Sequence, residues 1–371
     1  MKTAIVHDWL MSLGGAERVL EEILALFPSP LFTLCQNKQS QFPPNIEQAL
    51  IKHSLIQKLP FSKTQYRHYL PLYPFAVEQF DLSAYNLIIS SSHAVAKGVK
   101  TNPDQLHLCY CHTPIRYVWD LEEEYLNSLN LFKSVVAKQV FKYLRKWDVS
   151  TTPRVNTFIA NSHFVAERIS RLYGREATVI YPPVATHLFQ PEKIKDDFYL
   201  SVSRLVPYKK IDLIVETFNQ SPHRKLKIVG TGPLLEKLQK KALSNTEFLG
   251  FQSDETIRKL LSQAKGFIFA AEDDFGIAPL EAQASGTPVI AYGRGGALET
   301  ILPGKTGLFF LEQNSSHLLS ALERFETIQW DHSFICAHAE KFNVQRFQKE
   351  FKQFVDQQWE VFDENRHSCR R

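Results

Sequence analysis

Four short segments of this 371-residue chain hold residue types that could do chemistry. The first is Ser203-Arg204-Leu205-Val206-Pro207-Tyr208-Lys209-Lys210. An arginine forks onto oxygens and a lysine acts as a point charge, so Arg204 and Lys209 on one loop suit a diphosphate. A solvated basic turn is the commoner origin of such cations taken singly. The second segment is Glu272-Asp273-Asp274-Phe275-Gly276-Ile277-Ala278-Pro279-Leu280-Glu281. Pro279 suits the first turn of a helix, with Glu281 inside that turn. A carboxylate there can accept two ribose hydroxyls, while the N–H groups of Gly276 and Ile277 face a phosphate. An acid complementing the helix dipole would account for Glu281 alone, but not for three acids ahead of Phe275-Gly276. The third segment is Ser12-Leu13-Gly14-Gly15-Ala16-Glu17. Its paired glycines let backbone approach a ligand at a helix N-terminus, or simply make a turn. The fourth is Cys109-Tyr110-Cys111-His112-Thr113-Pro114. It has no second ligand cluster at a usable spacing, so it reads as a buried cysteine pair and no metal is assigned. Strand alternation turns both cysteines to one face and His112 to the other. His112 then either reaches a ligand at the strand end or is a satisfied structural histidine.

These segments need elements to hold them. Short apolar runs alternate with longer amphipathic ones, the pattern of a parallel sheet with helices on both faces. Strands are expected at 3–7, 86–90, 106–111, 157–160 and 178–181, with helices at 16–26 and 162–173. After Tyr181-Pro182-Pro183, which neither a helix nor a central strand accommodates, a second alternation begins. It has strands at 198–203, 225–229, 247–249, 266–270 and 288–291, and helices at 211–218, 234–243, 254–264, 279–285 and 296–301. Two doubly wound α/β domains follow, 1–182 and 183–343, plus a last helix at 344–362 whose allegiance composition does not settle. Ligands in such sheets sit outside the carboxyl ends of the strands, which directs attention to the strand-to-helix loops and to a cleft between facing domains. Gly230-Thr231-Gly232-Pro233 and Gly293-Arg294-Gly295-Gly296 occupy two more of those loops. Their common placement carries more weight than any one of them.

Composition narrows the class. Apolar types make up 44% and charged types 22%, the balance of a folded soluble chain. No apolar run reaches the roughly 18–20 residues of a bilayer span, and MKTAIVHDWL meets an acid too early for a secretory leader. The net charge of +4 gives no reason to expect nucleic acid. Five scattered cysteines (Cys35, Cys109, Cys111, Cys336, Cys369) fit a reducing cytoplasm. The dinucleotide pattern G-x-G-x-x-G is missing from the first loop, which weakens a nicotinamide enzyme. No D-x-D occurs, so neutralising a leaving diphosphate falls to Arg204, Lys209 and helix N-termini rather than to a divalent ion. Segment 131–147 is basic and amphipathic, with Phe132, Val136, Val140 and Tyr143 on one helical face and Lys138, Lys142, Arg145 and Lys146 on another. It reads as a packed helix with a solvated face, or as one that lies on an anionic membrane surface. The aromatic run Tyr66–Phe80 is a candidate apolar rim beside it.

These motifs, in this order, resemble glycosyltransferase family 4, whose members adopt the GT-B fold. The likeness rests on SRLVPYKKIDL (203–213), IVGTGP (228–233) and EDDFGIAPLEAQASGTPVIAYGRGGALET (272–300). HDWLMSLGGAERVL, CYCHTPIRYVWD and VIYPPV resemble bacterial mannosyltransferases of surface-polysaccharide assembly. The resemblance implies a nucleotide-sugar donor, GDP-mannose, held mainly by the C-terminal domain, and no further cofactor. It implies a glycan or polyprenyl-diphosphate-linked acceptor held mainly by the N-terminal domain, onto which the last helix, 344–371, crosses back. The place of work implied is the cytoplasm, at the inner membrane face. Matched position by position, Arg204 and Lys209 are the diphosphate pair, Glu281 binds the ribose, and Gly14 and Gly15 form the loop beside the phosphates. Gly230, Phe275, Gly276 and Ile277 complete the donor contacts, and His112 meets the transferred sugar. The first acid of the family's E-x7-E pattern falls on Asp273, one methylene shorter than Glu, with Glu272 adjacent. The implied reaction is hexose transfer with retention, by a front-face route in which the leaving phosphate helps deprotonate the acceptor. A sugar-nucleotide epimerase of the same plan and a non-catalytic membrane-associated partner are the competing readings.

Overall fold

The computed structural model describes residues 1–120, 122, 126, 131–192 and 194–368, of which 131–133 and 368 by backbone alone. Cys369 and the Phe132 side chain lie outside the described residues. The chain forms two compact units, Met1–Pro183 with Phe347–Arg371, and Val184–Arg346.

The first unit is built on seven strands: β1 (Thr3–His7), β2 (Leu31–Thr33), β3 (Ile51–His53), β4 (Leu87–Ser92), β5 (Leu106–Cys111), β6 (Thr157–Ala160) and β7 (Ala177–Val179). Their order is β3-β2-β1-β4-β5-β6-β7, all parallel. The central strands β4 and β5 are buried along their whole length because helices cover both faces, and Ser90, Ser91, Ser92 and His107 are polar residues held inside them. Along β5, Leu106, Leu108 and Tyr110 join the core beneath helix Gly15–Leu26. Cys109 and Cys111 point the other way, into the core with Val165 and Ile169 of helix His163–Tyr173. The cysteines are therefore a buried pair on one face, as the alternation requires. Strands β2 and β3 span only three residues each, too short to leave a period-2 signature in the sequence.

The last helix, Val344–Ser368, binds the first unit through one stripe. Phe347, Phe351 and Val355 recur every four residues and are fully buried with Ile5, Leu20 and Tyr110. Each such side chain stabilises this docking by about 1.5–3 kcal/mol. Gln348 donates to Glu22 (2.6 Å), and Gln358 accepts from Thr157 (2.7 Å).

Helix Leu131–Ser150 corrects the sequence reading. The buried stripe is Phe141, Leu144, Trp147 and Asp148, whereas Val136 and Tyr143 are 49% and 48% exposed. The face is chosen by Asp148, whose carboxylate accepts from Trp119 Nε1 and Tyr173 OH (2.8 Å each) and pairs with Lys97 Nζ at 2.9 Å. A charge so buried must face its partner, and this sets the helix rotation.

The second unit holds β8 (Asp196–Val202), β9 (Leu226–Val229), β10 (Thr246–Gly250), β11 (Ala264–Phe269), β12 (Val289–Tyr292) and β13 (Gly307–Phe310). Their order is β10-β9-β8-β11-β12-β13, again all parallel. One face packs on helices Ile211–Asn219 and Ser315–Glu326, the other on Asp254–Gln263 and Ile277–Ala284. In each sheet the strand order reverses once, between β1 and β4 and between β8 and β11. Loops leaving those two strands diverge to opposite faces and open a crevice, so each unit has one favoured ligand position.

Candidate functional site

In the second unit the crevice at the carboxyl ends of β8 and β11 gathers the basic and acidic loops. The chain leaves β8 at Ser203-Arg204, makes a one-turn 3₁₀ helix at Pro207–Lys209, and enters helix Ile211–Asn219 through a left-handed Lys210 (φ 54°). It leaves β11 into the acids 272–274. Lys209 Nζ donates to Asp273 Oδ2 across the crevice; the side chains are 16% and 17% exposed. Two segments 64 residues apart thus meet in a half-buried ion pair. Arg204 is exposed, and its Nη2 donates to Tyr208 OH at 2.5 Å.

The glycine loops lace these segments together. Gly230 has φ +135°, and a β-carbon there would stand 1.8 Å from the Ser203 carbonyl oxygen. A β-carbon on Gly296 would lie 2.3 Å from Phe275 Cα, and Gly296 N donates to Asp273 O (2.9 Å). Both glycines therefore permit loop backbones to pack on each other, fixing Arg204 and Asp273 at their roots. Gly230→Ala is expected to cost about 2–3 kcal/mol through strain and collision. Thermal melting should show it as a fall of several degrees in the second unit's transition, and an unchanged melt would refute the packing role.

Helix Ile277–Ala284 begins two residues before the position the sequence suggested, behind a left-handed Gly276 (φ 89°). Pro279 is its third residue, and Glu281 lies beyond the first turn, which contains no acid. Glu281 is therefore not a dipole-complementing cap. It is half-buried, as are Glu272, Asp273 and Asp274, while the Phe275 ring is 3% exposed and packs against Phe342. The backbone at Gly276 and Ile277 forms the helix entrance. A pocket of about 590 Å³ opens at the other end of this sheet, lined by Asp197, Lys225, Lys227 and Glu247. It holds none of the candidate residues.

In the first unit the carboxyl ends of β1, β4 and β5 carry a polar cluster that sequence reasoning missed except for His112. Asp8 is completely buried, and its carboxylate accepts four backbone N–H groups: His93 (2.7 Å), Ala94 (2.9 Å), Val95 (2.6 Å) and Ala96 (2.8 Å). Here the protein's own carboxylate fills the anion hole at the end of β4. His7 Nδ1 lies 3.1 Å from Ser91 O and 3.0 Å from Ser91 Oγ, and Ser91 Oγ lies 2.8 Å from His112 Nε2. His7 Nε2 faces Glu17 Oε1 at 3.6 Å. The one available signal was the His7-Asp8 pair directly after the apolar run Ala4-Ile5-Val6.

His112 is 8% exposed, and Asn161 Nδ2 donates to its carbonyl (2.9 Å). Burial, then the neighbouring His93 and His7 rings, hold it well below the ordinary histidine range, so it is neutral. His107, by contrast, is structural: it lies 2.8 Å from Ser90 Oγ and 2.9 Å from Arg154 O, and burial lowers it to about 4. Gly14 is the extended N-cap of helix Gly15–Leu26, and Gly15 is its first residue. The Glu17 carboxylate stands beside this loop, 3.0 Å from where a Gly14 β-carbon would be. Among the described residues, no group of three or more His, Cys, Asp or Glu is placed to hold a metal ion, and no helix is long and apolar enough to cross a membrane.

Comparison with known proteins places this architecture. Residues 185–342, nearly the whole second unit, match the family described as Glycosyl transferases group 1. The GDP-mannose-dependent alpha-(1-6)-phosphatidylinositol monomannoside mannosyltransferase of Mycolicibacterium smegmatis is 33% identical over 184 residues, 41% of this chain and 48% of that protein. The alpha-1,3/1,6-mannosyltransferase ALG2 of Dictyostelium discoideum is 26% identical over 249 residues, 54% and 57% respectively. The chain thus spans about half the length of these curated relatives. Sucrose-phosphate synthase of Thermosynechococcus elongatus superposes with a TM-score of 0.74 at 18% identity, covering 97% of this chain and 100% of that one. Two Rossmann-like domains of this kind make up the GT-B fold.

Proposed function

We propose that the protein is a retaining glycosyltransferase that moves a hexose, mannose from GDP-mannose, to a lipid-linked or oligosaccharide acceptor. The observation that carries this reading is the meeting of Lys209, Asp273 and the Arg204 loop at the β8/β11 crevice, inside the segment that matches the group 1 transferases. Departure of a nucleoside diphosphate builds negative charge on its oxygens. Arg204 and Lys209 stabilise that charge from fixed roots, with no resident metal or cofactor. Glu281 takes the ribose hydroxyls, and Asp273 is the acid that accepts from Lys209. A double displacement would need a nucleophilic carboxylate beside the anomeric carbon. Instead the leaving phosphate helps remove the acceptor's proton on the same face.

On the first unit, His112 offers a neutral imidazole to a sugar oxygen. The exposed Val135, Val136 and Tyr143, with Lys138, Lys142 and Lys146 exposed along the same helix, suit an anionic membrane surface on the cytoplasmic side, where a polyprenyl-diphosphate-linked acceptor would be found.

The test is a thermal-shift screen of GDP-, UDP- and ADP-sugars, followed by product analysis. A donor at a hundred times its Kd stabilises the folded state by about 2.7 kcal/mol, so GDP-mannose should raise the melting temperature by several degrees. Stabilisation by a UDP- or ADP-sugar alone would refute the donor. An isomerised nucleotide sugar formed without acceptor would replace transfer by epimerisation.

A further inference from the structure

The contacts around Ser91 bear on where His112 carries its proton. A carbonyl oxygen can only accept, so the 3.1 Å contact with Ser91 O assigns a hydrogen to His7 Nδ1. That hydrogen is shared with Ser91 Oγ at 3.0 Å. With His7 Nδ1 donating to it, the Ser91 hydroxyl has His112 Nε2, at 2.8 Å, as the acceptor left within reach among the described residues, and its own hydrogen turns there. A neutral imidazole that accepts at Nε2 carries its proton at Nδ1.

We propose that Ser91, anchored by His7, is a positioning residue that locks His112 in the Nδ1–H tautomer and so presents a hydrogen-bond donor to a sugar or acceptor oxygen. The lock itself is a property of the folded first unit. What the donor meets rests on the transferase reading.

Tyr110 lies beside His112 with ring centroids 5.1 Å apart, and His93 at 6.2 Å. Asp8 Oδ2 stands 3.3 Å from His93 Nδ1, and Glu17 Oε1 3.6 Å from His7 Nε2. Both acids thus act on the two outer rings, and Ser91 Oγ is the group on His112 Nε2. The three histidines come from β1, the end of β4 and the end of β5, so adjacent strands hold the chain in register. A lone histidine on a loop would sample both tautomers.

The test uses the full chain with ¹⁵N-labelled histidine, reading ring tautomers by long-range ¹H–¹⁵N correlation at neutral pH. His112→Asn identifies the His112 signals. The wild-type protein should show the Nδ1–H pattern at His112. Ser91→Ala should convert it to a mixed or Nε2–H pattern, and Ser91→Thr, which keeps the hydroxyl, should restore it. If Ser91→Ala fails to fold, His7→Ala removes the anchor and should loosen the same signal. In turnover, Ser91→Ala should lower kcat about tenfold, the size of one lost hydrogen bond, with donor KM nearly unchanged. It should cost nothing more in a His112→Ala background. An Nε2–H pattern in the wild type, or an Nδ1–H pattern that survives Ser91→Ala, overturns the proposal. The expected tautomers in a protein that transfers no sugar would uphold the lock and refute the transferase reading alone.

Discussion

Lys209→Ala should lower kcat/KM for glycosyl transfer by about 10²–10³-fold, the usual loss when one preorganised donor to a developing anion is removed. Two effects add in the same direction. The diphosphate loses a cation, and Asp273, whose Oδ2 accepts from Lys209 Nζ, keeps its negative charge near the incoming phosphates without that ammonium beside it. Asp273 is only 17% exposed, so water screens it poorly. Asp273→Asn in the Lys209→Ala background should therefore recover part of the loss in donor binding. Lys209→Arg should recover charge but only part of turnover, because a guanidinium forks where the ammonium points. Steady-state kinetics with the identified donor would decide the matter; a Lys209→Ala enzyme within twofold of wild type would remove the crevice at β8 and β11 as the diphosphate site.

A loss of similar size, in stability rather than turnover, is expected for Lys97→Met. The Lys97 and Asp148 side chains are 1% and 0% exposed. Lys97 Nζ also donates to Asp148 O (2.6 Å) and Thr151 Oγ1 (2.9 Å), and it stacks 4.7 Å from the Tyr173 ring centre. Removing one partner of a buried pair leaves the other charge desolvated, which costs about 3–5 kcal/mol. Replacing both, Lys97→Met with Asp148→Leu, should recover much of it, although Trp119 Nε1 and Tyr173 OH then lose their acceptor. Denaturant unfolding followed by tryptophan fluorescence should show the first unit's transition moving to lower denaturant in the single variant. A shift worth less than about 1 kcal/mol would show that the pair is not what orients helix Leu131–Ser150.

Much of the fold could be read from the chain. TAIVH, LHLCYC and TFIA are strands at the residues the apolar runs marked, and helix Gly15–Leu26 buries Val19, Leu20, Ile23 and Leu24. Fully buried parallel strands advertise themselves because no residue in them can be polar without a partner. The strands that escaped notice, LFT, IKH and GLFF, are three or four residues long. Helix Leu131–Ser150 shows the limit of periodicity. Two faces offered apolar residues, and the one that packs contains a buried acid whose cation lies 51 residues earlier.

The chain alone therefore specified two parallel α/β sheets, the break after Tyr181, and the loops at strand ends where charged and glycine residues collect. Those features depend on neighbours within a few residues, and side-chain spacing records them directly. Tertiary structure alone decided which loops meet. Lys209 reaches Asp273 because β8 lies beside β11, and Asp8 and His7 reach residues 91–96 because β1 lies beside β4. Strand adjacency is set by crossover packing across 60 to 90 residues of chain, a distance over which no local pattern carries information about a partner.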